Sequence, residues 1–67
     1  MKIPDDVFKK WLDLRSFGDG KKIAEEKGIT TMEISRAFTT QECSDSVFEK
    51  LAEFFKTKEE RIKEIIS

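Results

Sequence analysis

Catalysis needs nucleophiles, bases or metal ligands at workable spacing, and this chain offers few of them. Histidine is absent and Cys43 is the single cysteine, so neither a zinc site nor an intrachain disulfide can be assembled. Cys43 falls in a polar stretch with no activating neighbour, and the carboxylates are spread like ordinary solvating charge. Gly18-Asp19-Gly20 is too short for a phosphate-cradling loop, and the longer Gly-rich pattern ending in Lys-Ser/Thr is missing. No catalytic residue, metal or cofactor is therefore expected. The informative residues are the hydroxyls, cations and small apolar side chains of Gly20 to Thr39, which reads GKKIAEEKGITTMEISRAFT.

A chain of 67 residues, 37% hydrophobic and 40% charged, is expected to fold as one helical domain spanning 1–67. Helix one is predicted from Pro4 to Arg15: proline and acids suit a first turn, and Val7, Phe8, Trp11, Leu12 and Leu14 come after them at mostly helical spacing. Trp11 reads as a core anchor rather than an exposed stacking platform. Ser16 to Gly20 is a turn, with Asp19 placed to cap the second helix. Helix two runs from Gly20 to Lys27, with Ile23 and Ala24 inward. Gly28 sits where a left-handed residue would end that helix, and Ile29 can pack back on it. Thr30-x-x-Glu33 forms a capping box opening helix three, whose inward face is Ile34, Ala37 and Phe38. Thr39-x-x-Glu42 matches the same pattern by chance. Ser46-x-x-Glu49 is expected to open helix four, with Val47, Phe48, Leu51, Ala52, Phe54 and Phe55. Thr57-x-x-Glu60 is expected to open helix five, with Ile62, Ile65 and Ile66. The predicted architecture is all-α, five short helices without strand-like alternation.

The stretch Gly20–Thr39 resembles the helix-turn-helix of phage lambda-repressor-like and lac-repressor-like DNA-binding domains. Ala24, Gly28, Ile29 and Ile34 match the small residue, the turn glycine and the two branched aliphatics of that twenty-residue motif, and Ile23 and Ala37 match its apolar fourth and eighteenth positions. Ser35-Arg36 after Ile34 looks like the Val-Ser-Arg triplet of lac-repressor relatives. Gly20 departs from the pattern, because the phage repressors usually carry there a glutamine that clamps a phosphate. The five predicted helices fit a compact lambda-repressor-like domain.

The resemblance implies sequence-specific binding of double-stranded DNA, with helix three in the major groove and a small transcriptional regulator of repressor type as its setting. Thr31, Met32, Ser35 and Arg36 would then face the bases. Arg36 can bond both N7 and O6 of a guanine, a pairing that discriminates by about 1–3 kcal/mol, while Met32 and the Thr31 methyl can pack on a thymine methyl. Backbone N–H groups at Gly20, with Lys21 and Lys22, are the first phosphate candidates; Thr39, Thr40 and Arg15 come next.

Charge weighs against this reading. The chain has a formal net charge of −1 and a pI near 5.4, without the basic excess of an efficient nonspecific DNA binder. Residues 1–40 carry 8 basic and 7 acidic side chains, and residues 41–67 carry 5 and 7. Weak monomer affinity and a homodimer are expected in consequence. Phe54, Phe55, Ile62, Ile65 and Ile66 are candidates for the dimer seam; they serve equally well to close the core over helix one. The alternative function is a helix-turn-helix turned to protein–protein interaction. With no signal-peptide run and no 18-residue apolar stretch, a cytoplasmic protein is expected, of host, phage or mobile-element origin, with no membrane partner.

Overall fold

A computed structural model describes residues 1–66, except for the side chain of Ile66; Ser67 lies outside the described residues. Four helices succeed one another: α1 (Asp5–Leu14), α2 (Asp19–Lys27), α3 (Thr31–Thr40) and α4 (Asp45–Ile66). The fold is all-α, with one isolated antiparallel bridge between Lys2 and Glu42.

The fifth helix does not exist as a separate element. No glycine or proline interrupts residues 45–66, and the Thr57 hydroxyl donates to the Glu53 carbonyl (3.1 Å) instead of capping a new start. A Thr-x-x-Glu pattern reads identically at a helix start and inside a helix; the preceding turn decides which. The start of α4 is also displaced. Ser44, not Ser46, supplies the cap, with its Oγ accepting from the Val47 N–H at 3.2 Å.

The start of α2 corrects a second expectation. Gly18, at φ +89°, occupies the cap position and offers no side chain, so Asp19 is the first helical residue rather than its cap. The Asp19 carboxylate turns inward, accepting from the Ser16 N–H at 2.9 Å and from the Lys58 ammonium on α4. Burial pushes this carboxyl upward, but Lys58, the Ser16 N–H and Lys22 outweigh it and hold the group below 3.8.

The core draws Trp11 from α1, Ile23 from α2, Ile34 and Ala37 from α3, and Val47, Leu51, Phe54 and Phe55 from α4, with Ile29 from the turn. Trp11 stacks on Phe55 (centroids 5.4 Å apart, 18° between planes) and meets Phe48 at 5.5 Å, consistent with a core anchor. Ile3 joins the same cluster. The Ile3 N–H donates to the Gln41 carbonyl (2.8 Å), and the Gln41 amide donates to the Ile3 carbonyl and to Asp5. Gln41 adopts the left-handed conformation (φ 61°) that ends α3, a position where glycine is the usual solution. Those hydrogen bonds hold the strained residue in place.

Candidate functional site

The α2–turn–α3 unit is built by local signals. Gly28, at φ 68°, terminates α2 with its N–H donating to the Ala24 carbonyl, and Ile29 folds back into the core. Thr30 Oγ1 accepts from the Glu33 N–H at 3.1 Å, and the Glu33 carboxylate accepts from the Thr30 hydroxyl at 3.2 Å. The carboxylate thus meets the hydroxyl rather than the backbone N–H of a full capping box. Glu33 is folded back against the helix start, in keeping with a capping role.

With Ile34 and Ala37 buried, the helical period turns Thr31, Met32, Ser35 and Arg36 outward, and all four are exposed. Together with Thr39 and Thr40 they line one shallow concavity. The two threonines use their hydroxyl protons internally: Thr39 donates to the Ser35 carbonyl and Thr40 to the Arg36 carbonyl, each at 2.8 Å. The Thr40 hydroxyl also accepts from the Glu42 N–H at 3.3 Å, and neither hydroxyl can donate to a phosphate without leaving its carbonyl.

Thr31 also lines a second concavity, shared with Leu12, Arg15, Phe17, Gly20 and Lys21. The two hollows therefore adjoin. Arg15 is fixed there by its guanidinium, which lies 4.7 Å from the centre of the Phe38 ring. Lys22 is separated from its neighbour Lys21: it lines a different groove, with Asp19 and Glu26, between α2 and α4.

Across both adjoining hollows the lining includes Arg15, Lys21 and Arg36 and no carboxylate. The other concavities each contain acids: Glu33 and Glu42 on the far side of Arg36, Asp19 and Glu26 beside Lys22, and Glu59 between α1 and α4. In a chain with 14 acidic side chains, these two adjoining hollows are lined by none of them.

The residues put forward for a dimer seam divide. Phe54 and Phe55 are buried, Phe55 at 1% exposure with Phe54 and Phe38 edge-on against it, so they close the core and offer a second copy almost nothing. Ile62 is half-buried beside Phe54, Ile65 is 83% exposed, and the Ile66 side chain lies outside the described residues. Phe17 lies outside the α2–turn–α3 unit, yet it lines one of the two acid-free hollows. The signal for it in the sequence is an aromatic placed between a helix end and a glycine, outside any helical register.

Burial raises the Cys43 thiol above its ordinary value, despite the nearby N-terminal amine. Among the described residues no helix is long and apolar enough to cross a membrane. No family model, curated protein or solved structure matches the chain.

Proposed function

We propose that this chain binds double-stranded DNA sequence-specifically, as a lambda-repressor-like helix-turn-helix protein with α3 in the major groove. The observation that carries the reading is the pair of adjoining hollows along α3 and the start of α2, lined by three cations and no carboxylate on an otherwise acidic molecule. Arg36 is assigned to a guanine, Met32 and the Thr31 methyl to thymine methyl groups, and Ser35 to either partner type. Lys21 and the backbone N–H groups of Gly20 and Lys21, left open by a side-chain-free cap, are assigned to a phosphate. Thr39 and Thr40 contribute shape more than hydrogen bonds. Small modules bury little surface on DNA, so a homodimer on two half-sites completes the proposal, with Ile62 and Ile65 near the end of α4 as its remaining seam. A transcriptional regulator of repressor type is the role this implies.

Selection of bound sequences from a random duplex library, with Arg36→Ala compared against wild type, tests the reading. A palindromic site is expected, with Arg36→Ala losing preference at one position per half-site. No enrichment at low salt, together with a monomer in sedimentation, would overturn it and favour a protein-binding module.

A further inference from the structure

We propose that the α1–α2 loop is a second DNA-contacting element in which the Phe17 ring packs on the deoxyribose backbone beside the groove read by α3; this rests on the proposed DNA binding by α3. Phe17 is at 107% relative exposure, the most exposed of the large apolar side chains among the described residues, and Leu12, which lines the same hollow, is 46% exposed. The ring is thrown outward by the chain's own geometry: Leu14 ends α1, and Gly18 at φ +89° reverses the backbone into α2. Its hollow adjoins that of α3 through Thr31, so a duplex seated on α3 passes over the loop.

Charge selects the occupant. The hollow around Phe17 contains Arg15 and Lys21 and no carboxylate, which suits an alternation of apolar sugar and anionic phosphate. Asp19, the nearest acid in sequence, is turned away and neutralised by Lys58. The sugar presents C–H groups to the ring, while the flanking cations and the Gly20 N–H meet the phosphates on either side. Phe17 thereby adds affinity without reading sequence, and compensates for the missing glutamine at position 20.

The test uses the full chain and a duplex selected by the wild-type protein, titrated at several salt concentrations. Phe17→Ala is expected to weaken binding about tenfold, the factor for losing roughly 50 Å² of apolar burial, with sequence preference and melting temperature unchanged. Its log–log salt slope should equal that of the wild type, since no phosphate contact is removed. Unchanged affinity in Phe17→Ala would overturn the proposal and leave the ring to a protein partner, while DNA reading by α3 stands. If the wild-type chain selects no duplex, the underlying DNA-binding proposal has failed first, and the two failures are distinct.

Discussion

Along the flanks of α4, Lys10 meets Glu59 at 2.7 Å, Lys27 meets Glu53 at 2.8 Å, and Lys58 meets Asp19. Across the outer face of α3 and the start of α2, Arg15, Lys21 and Arg36 take part in none of these ion pairs; the two adjoining hollows they line contain no acid, and only on its far side does Arg36 meet a hollow with Glu33 and Glu42. One region pairs several of its cations with acids; the other lines two hollows with cations alone. The net charge of −1 averages the two and describes neither. The molecule extends 34 × 26 × 19 Å, against a Debye length of about 8 Å at physiological ionic strength. A polyanion on the α3 face therefore senses that face far more than the acidic remainder.

Moving charge between the two regions is the strongest way to break this contrast. Ser35→Glu sets a carboxylate into the acid-free hollow along α3 and is expected to reduce DNA affinity roughly a hundredfold or more, since like-charge juxtaposition costs several kcal/mol. Lys56→Glu on the α1/α4 flank changes net charge by twice as much, yet should weaken binding severalfold at most. Equal losses in a titration would show that overall charge, not its placement, governs binding.

The paired flank is tested by stability. Asp19→Asn leaves the Lys58 ammonium, 20% exposed, without its anion, and should cost about 1–3 kcal/mol in urea denaturation. Because the folded carboxyl titrates below 3.8, its contribution is complete above the unfolded value near ~3.9 and disappears as pH falls through the folded one. The gap between Asp19→Asn and wild type should therefore close below that pH. A gap that persists in strong acid would mean that packing, not charge, holds the α2–α4 junction.

Lys21→Ala addresses the presented cations one at a time: binding should weaken, and the salt slope should become shallower by about 0.9, one phosphate's worth. Lys22→Ala should change the slope less, since that residue faces the Asp19 groove. The smallest effect is expected from Glu53→Gln. Lys27 lowers the Glu53 carboxyl below its ordinary value, but the pair is solvent-exposed and surface ion pairs contribute little, so melting temperature and DNA affinity should both stay within experimental error. A measurable rise in DNA affinity would mean that the flank's acids reach the α3 face after all.

Much of the central unit was readable because its determinants are local. Gly28, the Thr30–Glu33 cap and the spacing of Ile23, Ile34 and Ala37 lie within one or two helical turns of what they control. The sequence alone therefore determined two helices, a glycine turn, a buried Trp11 and an outward Thr31, Met32, Ser35 and Arg36. Tertiary packing decided the rest. Whether Thr57 starts a helix or back-bonds within one depends on the turn before it, and that turn continues through Glu53. Gln41 in a left-handed conformation could not be foreseen, because its partners Ile3 and Asp5 lie 38 and 36 residues away. Asp19 turned from a cap into an anchor for Lys58, 39 residues on, and Phe54 and Phe55 became core. The two hollows without carboxylates also belong to tertiary structure, since they join α1, the loop, α2 and α3 and no single stretch contains them. Short-range geometry is written into neighbouring residues, whereas the sign of a surface depends on which distant side chains fold away from it.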